Sequence, residues 1–190
     1  MTDEKRMLQT EKVKIHLEPR YGSDDLILDV GGGGEGIIGR IYGKNVVAID
    51  RLKEELEEVH NDSLKIVMDA SSMNFLDNSF DIVTAFFSLM YMSDETKEAV
   101  IKECRRVLKP KGRIDIWDAE IPRKVDERDM FLLNLEIEIP GNTVTTGYGV
   151  RMNDRGQSYE TVLKSLTAQG FRQEESERFK HYFFISGRKK

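Results

Sequence analysis

The stretch LILDVGGGGEG, residues 26–36, passes within a few positions from a continuous apolar run to a cluster of glycines. Residues 26–30 read as a buried strand ending in glycine, and Ile37, Ile38 and Ile41 then fall at helical spacing until Gly43. Strand, glycine loop and helix therefore follow in immediate order. A loop of this kind lets a ligand approach backbone where a Cβ would block it, and it exposes the first amides of the helix. Moving outward, residues 46–49 form a second apolar run, followed by Leu52, Leu56 and Val59 at helical spacing in a charged stretch. Residues 64–68 predict a third strand. After the loop DASSMNFLDNS, residues 80–87 predict a fourth. A helix then opens at Ser93 with Asp94 and Glu95 in its first turn. Its apolar stripe is Val100, Ile101, Cys104, Val107 and Leu108, and Pro110 and Gly112 end it before a fifth strand at 113–117. Strands alternating with helical or loop crossovers predict an α/β fold with a parallel, doubly wound sheet.

Beyond residue 118 the alternation lapses. Leu133, Leu135, Ile137 and Ile139 have strand periodicity, PGN turns the chain, and Val144, Tyr148, Val150 and Met152 share one parity, which predicts an inserted β-hairpin within residues 119–157. A lone hairpin is marginal in water, so its apolar face needs the domain, a ligand or a second copy of the chain as cover. The last of these would make a homodimer through residues 133–152. Tyr159, Val162, Leu163 and Leu166 form a closing helix ended by Gly170, followed by two runs that pair as an antiparallel hairpin.

The 190 residues fit a single domain, with 39% hydrophobic and 33% charged residues, a composition that folds rather than staying disordered. The net charge of −5 gives no global positive field to recruit nucleic acid. No segment approaches the length of a membrane span and the start lacks a signal-peptide core, so a cytoplasmic address is expected. Cys104 is the only cysteine and sits on the helix stripe, where it reads as a small core residue. The three histidines are scattered, and no metal site is expected.

The carboxyl ends of the first strands carry the candidate chemistry. In open parallel sheets ligands bind beyond those ends, and Asp29, Asp50 and Asp69 stand at or near them, about 20 residues apart. A carboxylate at the end of strand two offers two acceptor oxygens to a ribose diol, which points to Asp50. The spacing of Gly31, Gly33 and Gly36 also satisfies the dinucleotide fingerprint, so an NAD-binding oxidoreductase is one reading.

LILDVGGGGEG resembles the first motif of the class I S-adenosylmethionine-dependent methyltransferases, with Asp29 as the acid two positions before the first loop glycine. The likeness continues in order through VVAID, ending at Asp50, then MDA with Asp69 and Ala70, NSFDIV, and RVLKPKGRIDIWD. It departs at Glu35, where the usual pattern has a third alternating glycine, with Gly36 following. The resemblance implies a Rossmann-like, mostly parallel seven-stranded sheet with an antiparallel C-terminal strand, and S-adenosylmethionine as cofactor. It implies that Gly31 and Gly33 face the methionine part and that Asp50 holds the ribose hydroxyls, with Asp29, Gly32 and Arg51 also among the cofactor-binding residues. Asp69 and the Ala70 backbone would read the adenine, and Phe86 and Phe87 would line the methionine side. The two phenylalanines read equally well as core aromatics at a strand end. An NAD enzyme would leave Asp29, MDA and the LKPKG turn without a role.

Methyl transfer from a sulfonium is an in-line displacement that needs alignment and exclusion of water more than a special side chain, so no catalytic residue is assigned. After strand four the sequence AFFSLMYM is unlike the Asn/Asp-Pro-Pro-Tyr motif of enzymes that methylate nucleic-acid bases, which favours a small-molecule acceptor. A catalytically silent S-adenosylmethionine-binding module is the remaining alternative.

Overall fold

The computed structural model describes residues 6–124 and 126–190. Its centre is a seven-stranded sheet built from β3 (Ile27–Val30), β4 (Val46–Asp50), β5 (Leu64–Val67), β6 (Phe80–Phe86), β7 (Leu108–Ala119), β10 (Phe171–Arg178) and β11 (Tyr182–Lys189). The order across the sheet is β10-β11-β7-β6-β3-β4-β5. Strands β3 to β7 pair in parallel, and β11 runs antiparallel to both β7 and β10. The chain starts at the centre, winds outward to β5 and returns across β3 to β6. That reversal opens a crevice at the carboxyl ends of β3 and β6.

Each face of this sheet is covered differently. Helices α3 (Asp94–Val107) and α4 (Tyr159–Ala168) pack on Leu28, Val83, Ile114, Ile116 and Phe183. The α3 stripe is the expected one: Val100, Ile101, Cys104 and Val107 are buried, and the Ser93 side chain caps the helix by accepting from the Thr96 amide. Burial pushes the Cys104 thiol up to about 12, which makes it a core residue and not a nucleophile. The opposite face carries α1 (Ile37–Tyr42) and a second, smaller sheet.

That smaller sheet resolves the question of the hairpin's cover. Strands β8 (Met130–Ile139) and β9 (Asn142–Arg151) pair antiparallel around a Pro140-Gly141 turn, with Gly141 at φ 73°. Phe131, Leu133, Leu135, Ile137 and Ile139 point inward and share one core with Ile38, Phe86, Phe87, Trp117 and Tyr182. The domain itself therefore covers the apolar face, and the observation behind a homodimer through residues 133–152 disappears. The free edge of β8 is taken by strands the sequence pattern does not reveal: β1 (Met7–Gln9) and β2 (Val13–His16) pair parallel to it at Met7↔Met130 and Val13↔Leu135. They are only three and four residues long, and in β2 the exposed Lys14 and His16 alternate with Val13 and Ile15.

Two other expectations shift. Helix α2 (Lys53–Glu57) is a single turn or so, with Leu52 exposed and Leu56 and Val59 buried. Helix α3 ends at Val107, before Pro110. Strand β7 begins at Leu108 and absorbs residues 109–112 as an irregularity opposite β6, with Lys111 at φ 63°. Proline cannot supply the ladder amide there, and it pushes the preceding residue out of the helical region. The β5–β6 crossover contains no helix, leaving Leu64 and Val67 exposed on the edge strand. Because Leu135 is fully buried beneath the second sheet, Leu135→Ala should cost about 2–5 kcal/mol in urea unfolding by leaving a cavity between the sheets.

Candidate active site

The glycine loop leaves β3 under steric compulsion. At Gly31 (φ 72°) a Cβ would collide with Ser88, and at Gly32 it would lie 2.7 Å from Asp29 Oδ2 and 2.9 Å from Ala48 Cβ. At Gly33 it would lie 2.6 Å from Glu55 Cβ and 3.0 Å from Asp50 Oδ2. The Gly31 and Gly32 amides both donate to Ile49 O, at 2.8 and 3.0 Å, and the Gly34 amide donates to Glu55 O at 2.9 Å. The loop is thus pinned to β4 and α2, with the end of β6 against its first glycine.

Asp29 lies beneath this loop, not in the open crevice with Asp50 and Asp69. It is 2% exposed, and its Oδ1 accepts from Thr84 Oγ1 at 2.8 Å. Burial raises its pKa to about 7, the Thr84 hydroxyl opposes the rise and the nearby Asp50 adds to it. Asp50 closes β4. One oxygen accepts from its own Leu52 amide at 2.9 Å, which orients the carboxylate, and the other lies against Gly33. Asp69, exposed after β5, is oriented by the Ser71 amide and hydroxyl, which hold its carboxyl below the usual range. Arg51 is exposed close enough to lower it further, and Ala70 rests half-buried against the core. Phe86 and Phe87 are core aromatics under the second sheet. Phe86 packs on Trp117 at 5.9 Å, and Phe87, at φ 51°, packs on Tyr148 at 5.5 Å and Tyr182 at 6.2 Å.

Two acids around the loop escaped the sequence reading. Glu55 on α2 is raised by burial and then by Asp50. Glu35 accepts hydrogen bonds from Tyr148 Oη at 2.9 Å and from Thr146 Oγ1, tying the loop to β9. The substitution of a glycine by Glu35 was visible in the sequence; its partner 111 residues away was not. Asp29, Glu35, Asp50 and Glu55 consequently ring the loop, and among the described residues none forms an ion pair with lysine or arginine. Further along the carboxyl edge, buried Asp118 at the end of β7 accepts from the amides of Met90 (3.2 Å) and Ala119 (2.7 Å) and from Gln157 Nε2 (2.8 Å). Burial raises it to about 6, against those bonds and Lys97. No described group of three or more His, Cys, Asp or Glu is placed to hold a metal, and no described helix is long and apolar enough to cross a membrane.

Residues 28–116 match the model of a methyltransferase domain family. That match spans just under half of the chain. It is 42% identical over 68 residues to a demethylmenaquinone methyltransferase of Thermotoga maritima, covering 36% of this chain and 29% of that protein. Against a phosphoethanolamine N-methyltransferase of Plasmodium falciparum it is 27% identical over 146 residues, covering 67% of this chain and 54% of that protein. The chain thus spans about half or less of these curated relatives. A solved S-adenosylmethionine-dependent methyltransferase from Methanosarcina mazei shares the fold at TM-score 0.63 and 20% identity, covering 89% of this chain and 94% of that one.

The buried acids set a pH dependence. Asp29 binds its proton more tightly folded than unfolded, so its contribution favours the native state below its ordinary value of 3.8 and is lost as pH rises to about 7. Asp118 adds to the same slope up to about 6. Urea-unfolding stability should therefore fall between pH 4 and 7, and Asp29→Asn should flatten that fall. Removing the tie in Glu35→Ala should raise amide hydrogen exchange in β9 around Thr146 and Tyr148 by about tenfold, since bonds to a charged acceptor are worth about 1.5–3 kcal/mol.

Proposed function

We propose that the chain is a methyltransferase that binds S-adenosylmethionine over the glycine loop and transfers its methyl group to a small-molecule acceptor. The observation that carries this reading is the acidic surround of the loop, Glu35, Asp50 and Glu55, with Asp29 buried beneath it. A dinucleotide would bring a pyrophosphate, two negative charges, into a crevice that already concentrates negative charge. S-adenosylmethionine brings a sulfonium and an ammonium, which the same field attracts. The residues fit that group: Asp50 is held by its own backbone with an oxygen free for ribose hydroxyls, and Gly31 to Gly33 leave backbone where the methionine part would lie. Asp69, Arg51 and Ala70 are assigned to the adenine end, and Asp29 to support of the loop from beneath. Phe86 and Phe87 form the apolar wall under the second sheet.

When bound, the cofactor supplies an electrophilic methyl group, and the chain supplies alignment and dryness. The second sheet roofs the crevice through the Glu35 tie and the Phe87–Tyr148 contact, excluding the water that would compete with an acceptor. Tyr91, whose hydroxyl is raised by burial and by Asp118, stays protonated at neutral pH and can donate a hydrogen bond but not act as a base. The net charge of −5 and the acidic ring both favour a small acceptor over nucleic acid. The two relatives are named for a quinone and for a phosphorylated amine, so the acceptor does not transfer by name.

Calorimetric titration with S-adenosylmethionine and, separately, with NAD decides the reading. S-adenosylmethionine should bind saturably and NAD should not, and Asp50→Ala should weaken the former at least about tenfold through loss of a charged hydrogen-bond acceptor. Binding of NAD alone would overturn the proposal.

A further inference from the structure

A cavity of about 500 Å³ lies beyond the carboxyl end of β7, on the same edge of the sheet as the glycine loop, and it belongs to none of the elements discussed for the cofactor. That volume falls in the range of small-molecule sites. Its buried wall is apolar, from Ile121 and Phe131, with Leu8 and Pro122 beside them. Of the exposed cations at its rim, Arg155 and Lys180 are engaged within the chain, Arg155 Nη1 lying 2.8 Å from Asp94 and Lys180 Nζ 3.1 Å from Glu11, and Arg123 stands beside them.

One polar group in the lining lacks a partner. Gln157 is 3% exposed, and its Oε1 is buried with no hydrogen bond, although its Nε2 donates to Asp118 Oδ1 at 2.8 Å and to Ala119 O at 3.1 Å. Those two acceptors fix the amide, since turning it over would set its oxygen against a carboxylate and a carbonyl. What remains is an oriented acceptor beside an apolar wall, and an unsatisfied buried acceptor of this kind costs about 1–3 kcal/mol. A ligand that donates a hydrogen bond would recover it. The same Asp118 holds the Met90 amide in the turn that follows β6, so the cavity and the cofactor crevice share one anchoring carboxylate.

We propose that this cavity binds a neutral, largely apolar molecule bearing one hydrogen-bond donor, a hydroxyl of phenol type, held by Gln157 Oε1, and that it seats the methyl acceptor. The acceptor half of the proposal rests on the methyltransferase reading above; the binding site does not. The test uses the full chain with 2-naphthol and 2-methoxynaphthalene as probes, followed by backbone amide NMR shifts. 2-Naphthol should shift Ile121, Gln157 and Ser158 and bind about tenfold more tightly than its methoxy counterpart, which has no donor. Gln157→Met should erase that preference, and Phe131→Trp should weaken both probes by filling the cavity. Equal affinity for the two probes in the unmodified chain, or shifts confined to other regions, would overturn the proposal without any variant having to fold. Failure of S-adenosylmethionine to bind the same sample would instead remove the cofactor reading and the acceptor assignment, with the probe preference still deciding the cavity.

Discussion

The close passage of backbone at Gly31, Gly32 and Gly33 is the constraint on which the rest of the molecule turns. Three successive positions have no room for a Cβ, because Ser88 from the end of β6, Ala48 from β4 and Glu55 from α2 occupy the space on different sides. Both leading amides are consumed by one carbonyl, Ile49 O, so the loop cannot shift without breaking its attachment to β4. The same crowding buries Asp29 under Gly32. A carboxylate in that position could satisfy itself only through Thr84, and its raised pKa records how little water reaches it. The crevice is defined by this knot of β3, β4, β6 and α2 more than by any single binding residue.

The second sheet depends on the first in turn. Its inward row, Phe131 to Ile139, has no core of its own and gains burial only against Phe86, Phe87, Trp117 and Tyr182. Those aromatics lie on the sheet edge where the parallel strands end, which in ligand-binding sheets is otherwise open. A roof laid there must also be held in register with the loop beneath it, and Glu35 does this through Tyr148 and Thr146. A glycine at that position would leave the loop freer and the roof untied.

Much of this was legible along the chain because it follows from local pattern. The parallel strands are short, continuous apolar runs, the α3 cap and stripe are spelled out from Ser93 to Val107, and Asp50 is placed by its distance from the glycine loop. What stayed hidden depends on pairing across long separations. Strands β1 and β2 have too few apolar residues to announce themselves, and they exist because β8, more than a hundred positions later, offers an unpaired edge. The roles of Glu35, Glu55 and Gln157 arise in the same way, from neighbours that only the folded chain supplies. Asp29 shows the converse: its position in the motif is plain, yet the motif says nothing of its burial.

Asp118 shows how these parts become one site. Its two oxygens face in different directions, one toward the Met90 amide in the turn after β6 and one toward Gln157 at the mouth of α4. A displacement of either partner would strand part of a fully buried carboxylate, so the turn bordering the cofactor crevice and the wall of the neighbouring cavity have to move together or not at all. That coupling fits a reaction in which two molecules must meet within about 3.5 Å and in line, because geometry fixed before binding lowers the barrier to such an encounter.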